Sequence, residues 1–357
     1  GYGDYKLSGS TVQTVKSLVV PAGTYTFIFY SYGNSNAIAA FTNGSVSVPA
    51  TNGQNFMTYV KPGVVINNIG SRYTLSGIVF KHHCARYRVQ AIAQSGRMGK
   101  ITACAGTLTL PKHNATYTFT NGTFTTQATT GTINLTWDNP NAMSAYSGYI
   151  YLLPQTSAAT IILNLTIGGI AFTNKSISLS GLALTANNTY CTNVSFATTE
   201  GYIIGGALWA NGNLVYESGQ YINHSNTMYC SKAANAPDYF TYNNPIPNNA
   251  ELITTWSDSR DPCRKVVPAN TWRTPTVADI TNLISTGTEL KTDCTIFGEV
   301  LKLPLTSFMR FTKGHPHEPQ YGYYLTTTYP TCLQNGGIGL YNTDVTLAFP
   351  IRCIRNL

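Results

Sequence analysis

The side chains most capable of chemistry in this chain are its eight cysteines. Cys263 lies near the start of the last third of the sequence, and Cys353 lies near its end. This placement suggests one covalent loop closure across about 90 residues, which would stabilise the fold by about 4 kcal/mol in the entropic account. The other six thiols allow 15 connectivities, so the pairing of Cys294 with Cys332 or Cys230 stays open, and two to four of them are alternatively buried free thiols.

Cysteine spacing also bears on metal binding and on compartment. No two cysteines form a Cys-x-x-Cys pair, so a zinc site of the usual spacing is not expected. An even number of cysteines in a β-rich chain favours disulfides and an oxidising compartment. The densest group of other possible ligands is His315, His317 and Glu318, with Pro316 and Pro319 beside them. Only three ligands lie close together there, which favours a solvated loop over a metal site.

The sequence contains no motif of a known catalytic class. We find no Gly-x-Ser-x-Gly, no His-Glu-x-x-His and no phosphate-binding glycine loop. The acidic residues of the last third include no pair typical of calcium-dependent sugar binding, which needs converging carboxylates and carbonyls. We therefore expect a protein that is not an enzyme and that uses no cofactor and no metal.

The composition points to a folded protein with a polar, weakly charged surface. Only 10% of the 357 residues are charged, whereas 43% are hydrophobic and 12% aromatic, which excludes a disordered chain. The net charge is +8, but the basic residues are scattered and form no run, so nucleic acid is not an expected partner. A diffuse positive field could still favour acidic glycans or cell surfaces.

Alternating strand patterns define three units, at residues 1–96, 97–200 and 201–357. Turn clusters separate the strands at the intervals of a β-sandwich. Strands are expected at 25–30, 73–80, 85–92, 107–110, 132–137, 161–167 and 190–196.

The clearest helix lies in the third unit, at 276–284. Thr276 and Asp279 form a capping-box pattern at its start, because a threonine hydroxyl can accept a hydrogen bond from an unpaired amide of the first turn. Val277, Ile280 and Leu283 then form an apolar stripe.

The first two units resemble a known family. Ala-Gly-Thr-Tyr-Thr-Phe at 22–27, the stretch 75–92 and the strand at 190–196 resemble the tandem β-sandwich domains of Bacteroidales fimbrillins, the subunits of type V pili. The resemblance implies a fimbrillin-like, transthyretin-like β-sandwich at 1–96 and a second one at 97–200.

The third unit carries a more specific series of short motifs. They are Trp-Ala-Asn-Gly-Asn-Leu at 209–214, Asp-Pro-Cys at 261–263, Trp-Arg-Thr-Pro-Thr at 272–276, Leu-Lys-Leu-Pro at 301–304, Gly-Tyr-Tyr at 322–324 and Phe-Pro-Ile-Arg-Cys at 349–353. This series is similar to the C-terminal major-paralogous domain of Bacteroidetes surface proteins, whose fold is C-type-lectin-like. Together the resemblances imply a mainly β fold class, with two tandem β-sandwiches followed by an α+β, C-type-lectin-like domain at 201–357.

The resemblance also implies a function. In type V pili one subunit accepts a β-strand from the C-terminal end of the next. If Cys353 pairs with Cys263, the last strand cannot leave, so we expect a tip adhesin that accepts a strand and donates none. The expected partners are pilin subunits by donor-strand exchange and a surface glycan or protein ligand. The expected location is the fimbrium at the outer membrane, with a lipoprotein precursor. The alternatives are a structural or anchor pilin, and a surface glycan-binding lipoprotein that does not polymerise.

Lectin-like folds place their ligands in the region that corresponds to 311–344. Tyrosine supplies large amphipathic contact area at low entropic cost, and asparagine supplies adaptable hydrogen bonds. The alternative is that half of these tyrosines are core or strand residues. The predicted ligand-binding residues are Tyr321, Tyr324, Tyr329, Asn335, Tyr341, Asn342 and Asp344.

Overall fold

The computed structural model confirms a mainly β protein. Its described residues are 5–8, 11–14, 19–34, 46–67, 70, 73–138, 140–227, 239–247, 249, 251, 253–306, 309–310, 315–316, 323–328, 331–334, 339–342 and 347–357. Among these residues, no helix is both long enough and apolar enough to cross a membrane.

Seven strands lie in the first part of the chain. They are β1 (Tyr5–Ser8), β2 (Thr11–Thr14), β3 (Gly23–Ser31), β4 (Ser47–Thr51), β5 (Met57–Ile66), β6 (Lys81–His82) and β7 (Ala85–Ala93). β1 and β2 form an antiparallel hairpin, and β5 pairs with β3 on one side and β6 on the other. The strand predicted at 73–80 is wrong, because these residues pair with no strand. Gly77 has φ +72° there, and Val79 is 75% exposed.

The next nine strands among the described residues contribute to three sheets. They are β8 (Ile101–Leu110), β9 (Asn114–Thr118), β10 (Thr123–Thr126), β11 (Gly131–Leu135), β12 (Ser144–Tyr146), β13 (Ile150–Leu152), β14 (Gln155–Ile167), β15 (Ile170–Leu184) and β16 (Thr189–Phe196). β9 and β10 pair with β4 in one of these sheets, and the other seven strands contribute to two facing sheets. One of the facing sheets has the order β11-β8-β14-β15 and is antiparallel throughout. In the other sheet β7 pairs with β12 and β13 on one edge and with the parallel strand β16 on the other. Their buried faces share one hydrophobic cluster, which includes Tyr87, Val89, Leu108 and Ile161.

Strand pairing crosses the predicted boundary at residue 96. β4 pairs with β9, and β7 belongs to the sheet of β12, β13 and β16. The alternation that predicted β7 is confirmed, since Tyr87 and Val89 are fully buried between half-buried or exposed neighbours. Alternation identifies a strand and its buried face but not its partner strand, which for β7 comes from residues after 96.

The described residues of the third part of the chain contain the remaining strands and one α-helix, α1 (Val277–Ser285). The strands are β17 (Gly201–Ile204), β18 (Ala207–Ala210), β19 (Leu214–Glu217), β20 (Gln220–Asn223), β21 (Thr288–Leu290), β22 (Cys294–Phe297), β23 (Leu301–Pro304), β24 (Met309–Arg310), β25 (His315–Pro316), β26 (Tyr323–Leu325), β27 (Thr331–Gln334), β28 (Gly339–Asn342), β29 (Leu347–Ala348) and β30 (Ile354–Arg355). They pair in the orders β17-β18-β30, β19-β20, β21-β22-β23, β25-β24-β29 and β26-β27-β28. The predicted capping box is confirmed, because the Thr276 hydroxyl accepts from the Asp279 amide and the Asp279 carboxylate accepts from the Thr276 amide.

The second and third units meet through backbone contacts. The Gly99 amide donates to the Ile203 carbonyl at 2.8 Å, and the Ile203 amide donates to the Arg97 carbonyl at 2.8 Å. Gly168 fits this junction only as glycine, because its φ is +58° and a Cβ would lie 2.4 Å from the Ile203 carbonyl oxygen. The Arg97 guanidinium stacks over the Tyr202 ring at 4.7 Å. These contacts hold the two units against each other.

Candidate functional site

The motifs of the third unit converge on the last strand. We call this assembly the C-terminal clamp; it comprises residues 209–214, 261–263, 272–276 and 351–355. The predicted disulfide is present, with the sulfurs of Cys263 and Cys353 1.97 Å apart and both residues fully buried. It closes a loop of 90 residues, so it constrains the unfolded chain by about 4 to 5 kcal/mol in the entropic account.

Backbone hydrogen bonds hold the last strand on both sides. On one side the amides of Ala210 and Leu214 donate to the carbonyls of Cys353 and Ile351, at 2.9 and 2.8 Å. On the other side Arg273 and Ile354 exchange two backbone hydrogen bonds of 2.9 Å each. The final strand is therefore an internal strand of this unit and not an edge.

Arg352 lies at the centre of the clamp and is fully buried. Its Nε donates to Asn213 Oδ1 at 3.0 Å, and its terminal nitrogens donate to the carbonyls of Ala210, Asn211 and Thr227 at 3.2, 2.7 and 2.7 Å. Burial lowers the pKa of this guanidinium, because a charge out of water is disfavoured. Carbonyl dipoles from the 209–214 motif and Thr227 surround the positive charge, so Arg352 ties the last strand to that motif.

Asp261 and Arg273 complete the clamp. Both carboxylate oxygens of the buried Asp261 accept hydrogen bonds, from the Cys263 amide and from the Thr274 amide and hydroxyl, at 2.7 to 3.0 Å. Burial outweighs these bonds and raises the pKa of Asp261. Arg273 binds Asp279 of α1 through two nitrogens, at 2.7 and 3.0 Å, and also donates to Asn356 Oδ1. The clamp thus joins the helix, the disulfide and the chain end.

The other described cysteines are free thiols, which overturns any pairing for Cys294. Cys84 and Cys294 are buried, Cys104 is half-buried and Cys191 is exposed. Burial raises the pKa values of Cys84 and Cys104 to about 11, so their thiols stay protonated and unreactive at neutral pH. The alternative prediction, that some cysteines are buried free thiols, is therefore confirmed for Cys84 and Cys294. The side chains of Cys230 and Cys332 lie outside the described residues.

The predicted ligand-binding residues fall into three groups. Tyr324 is in the core, 1% exposed, and its hydroxyl donates to the Pro304 carbonyl at 3.1 Å. It therefore packs the third unit and offers no surface to a ligand, which corrects its place in the predicted set. Tyr341 and Asn342 lie on β28, and only the backbone of these two residues is described. Outside the described residues lie Tyr321, Tyr329, Asn335 and Asp344.

A cleft of about 920 Å³ opens between the second and third units. Backbone of Gly99, Gly168 and Gly206 lines one part of it, and Asn282 and Thr286 from the end of α1 line another. The rest of its lining is mixed and includes Lys100, Glu289 and Glu299 as well as Ile204 and Ile296. In the described part of the chain, no three His, Cys, Asp or Glu side chains are grouped to hold a metal ion; His317 and Glu318 lie outside that part.

Sequence reasoning named the motifs of the clamp but missed their role. Arg352 and Asn213 each stand in one of the quoted motifs, 139 residues apart in the chain. The signal that could have linked them is the low charge content, since an arginine between Ile351 and Cys353 in an apolar strand needs an internal partner. No local pattern identifies which carbonyls it meets.

Comparison with known proteins places this fold in a family. The fimbrillin-like family matches residues 21–207, which is more than half of the chain. The chain therefore belongs to the fimbrillin-like family. No curated protein matches it.

Several solved structures are similar to this chain, at low sequence identity and low TM-score. A candidate cell adhesion protein of Bacteroides fragilis is 20% identical with a TM-score of 0.39, and the match covers 55% of this chain and 66% of that one. One from Bacteroides uniformis is 15% identical with a TM-score of 0.33, covering 54% and 73%. One from Bacteroides ovatus is 17% identical with a TM-score of 0.32, covering 54% and 68%. The chain thus spans just under two thirds of the first of these proteins.

Proposed function

We propose that this protein is a cell-surface adhesin, the terminal subunit of a fimbrium, which accepts a strand from a neighbouring pilin and donates none. Membership of the fimbrillin-like family supports a location on a surface fibre and contact with other pilin subunits. Strand exchange between subunits adds a strand from one chain to a groove of another. A subunit at the end of a fibre needs only one of the two roles.

The C-terminal clamp is the observation that carries this proposal. A strand can be donated only if it leaves its own sheet, and leaving would break the backbone bonds of Ile351, Cys353 and Ile354. It would also expose the buried charge of Arg352 and is blocked covalently by the disulfide. Each of these contacts raises the free energy needed to release the last strand, so the chain is suited to be the terminal subunit of a fibre.

We further propose that the third unit is C-type-lectin-like and that its region 311–344 binds the surface ligand. Tyr321, Tyr329, Asn335, Tyr341, Asn342 and Asp344 form the candidate set. Tyr324 serves the same region from the core, because it fixes β26 against β23 through Pro304. Recognition would be non-covalent, without a cofactor.

Immunogold electron microscopy of native cells tests the position in the fibre. We expect gold from an antibody to residues 253–306 at fibre ends, and the same distribution from a second antibody to residues 140–200. The second antibody is the matched control, since both epitopes lie on one chain and a masked epitope would separate the two patterns. Gold along the shafts would contradict the terminal role and favour a structural pilin. Gold confined to the cell body would favour the surface lipoprotein that does not polymerise.

A further inference from the structure

We propose that the outer face of the sheet of β12, β13, β7 and β16 is a binding surface for anionic polysaccharide. We call it the arginine face, and it consists of Arg86, Arg88, Tyr146 and Tyr149. It lies in the fimbrillin-like part of the chain, away from the third unit. The inference therefore does not rest on ligand binding by region 311–344 or on the position of the subunit in a fibre.

The geometry of β7 directs both arginines to one side. Tyr87 and Val89 point into the core and are fully buried, so Arg86 and Arg88 project from the opposite face. On the neighbouring strand β16 their register partners are Thr189 and Cys191, both exposed. The outer face of this sheet is therefore open to solvent.

Two tyrosines orient the guanidinium groups. The Cζ of Arg86 lies 4.1 Å from the ring centre of Tyr149, and the Cζ of Arg88 lies 4.1 Å from that of Tyr146 and 5.0 Å from that of Tyr149. Stacking fixes the guanidinium planes, and no carboxylate of the described residues occupies their terminal N–H groups. Tyr146 and Tyr149 are 42% and 40% exposed, so part of each ring is also free for contact.

Neither arginine has an anionic partner within the described residues. Ion pairs there involve Arg260, Arg264, Arg273, Arg355 and Lys291, and no carboxylate lies within 4.0 Å of Arg86 or Arg88. The Nε of Arg88 is buried and has no hydrogen-bond acceptor among the described residues. An unsatisfied buried donor destabilises the fold, so packing alone does not account for this arrangement.

The net charge of the chain lies in the same part of the sequence as the arginine face. Residues 1–200 contain eleven Lys and Arg but only three Asp and Glu, whereas residues 201–357 contain eleven of each sign. The entire net charge of +8 therefore belongs to the first 200 residues. An anionic polymer would be attracted to this part first.

The chemistry of the face selects the class of ligand. Guanidinium forks match the paired oxygens of sulfate and carboxylate groups. Exposed tyrosine rings give contact area to sugar rings, and Asn193 and Thr189 on β16 add an amide and a hydroxyl beside them. A sulfated or uronic-acid polysaccharide presents these anionic, hydroxyl and ring surfaces together.

The test is binding of the full chain to immobilised heparin. We expect the double variant Arg86→Gln/Arg88→Gln to bind at least about tenfold more weakly at about 150 mM NaCl. The matched control is Lys100→Gln/Lys175→Gln, which removes the same charge from two exposed residues elsewhere in residues 1–200. We expect that control to lose less than about threefold, with thermal melting to confirm that both variants fold.

Equal losses in the two double variants would show a diffuse field and overturn the arginine face, as would no heparin binding at about 50 mM NaCl. Single-stranded DNA that binds as tightly as heparin would overturn the choice of a polysaccharide. Chondroitin sulfate and hyaluronan separate sulfate from carboxylate recognition. Should the glutamine variant not fold, Arg86→Lys/Arg88→Lys keeps the charge and must still weaken binding by about threefold.

Discussion

Arg352 is the residue that most directly couples the last strand to the rest of its unit. We predict that Arg352→Met lowers the free energy of unfolding by at least about 3 kcal/mol, because it removes the buried donor to Asn213 Oδ1 and to three carbonyls. Urea denaturation followed by fluorescence of Trp209 and Trp272 measures the loss.

Arg355→Met is the matched control for that change, on the same strand. Arg355 is partly exposed, stacks on Trp272 at 5.4 Å and forms an ion pair with Glu200 at the surface. Its loss should cost less than about 1 kcal/mol. An equal loss of unfolding free energy in the two variants would mean that the buried hydrogen bonds of Arg352 stabilise the fold no more than a surface contact does.

His83 makes the stability of the first part of the chain sensitive to acid. Its Nε2 lies 2.7 Å from Thr58 Oγ1 in an aromatic cluster with Phe56 and Tyr117. Burial, with smaller effects of Lys81 and His82, lowers the pKa of His83 to about 4 from the ordinary 6.5. Between these values the unfolded chain binds more protons, so stability falls as pH drops from 6.5 towards 4, by up to about 3 kcal/mol.

Thermal melting between pH 7 and pH 4 measures this dependence. His83→Phe should flatten the curve in that interval, whereas His82→Gln, which removes only a smaller contribution to the lowered pKa of His83, should flatten it much less. A His83→Phe curve that is as steep as that of the unmodified chain would assign the acid sensitivity to other groups.

At the scale of elements, Asp279 connects α1 to the clamp. Burial opposes its ionisation, but hydrogen bonds from Arg273 and Thr276 prevail and lower its pKa. We predict that Asp279→Asn costs about 1 to 2 kcal/mol at neutral pH, since it weakens both the helix cap and the bidentate contact with Arg273. Glu289→Gln, an exposed residue paired with Lys291, should change the unfolding midpoint little.

Neighbouring residues in the sequence predicted individual helices and strands better than they predicted how the strands pair. The capping box of α1 and the alternation of β7 follow from neighbouring residues, and both are confirmed. Residues 73–80 show the same alternation but form no strand, because Gly77 turns the backbone and no partner strand lies beside them. Period-two alternation predicts which face a strand would bury, but it does not predict whether another strand is available to pair with it.

Long-range contacts explain what the sequence could not predict about the clamp. The disulfide could be predicted from the positions of Cys263 and Cys353, since two cysteines at the ends of one unit suggest a covalent loop closure. The partners of Arg352 come from 210–227 and have no local signature. The burial of Tyr324 shows a similar limit, because a tyrosine is equally suited to a core and to a binding surface.

At the scale of the molecule, the second and third units share one hydrophobic cluster, which extends from Ala85 to Cys353. We predict that residues 97–200 and 253–306 unfold in a single transition, because the backbone contacts of Ile203 and Gly168 join them. Hydrogen exchange followed by mass spectrometry should report equal opening free energies for both ranges. Two separate unfolding transitions would contradict this coupling. Gly168→Ala should separate the unfolding of the two ranges, because a Cβ at residue 168 would clash with the Ile203 carbonyl.

The position of the last strand has a consequence for how this protein is made. Residues 351–355 leave the ribosome after the described residues that they contact, so the core around Trp209 and Arg273 stays incomplete until they have been synthesised. At about 5–20 residues per second, the interval between the synthesis of β18 and β30 lasts several seconds. During that time the third unit lacks its central strand and remains an open chain. The last few residues to be synthesised therefore decide when the third unit can close.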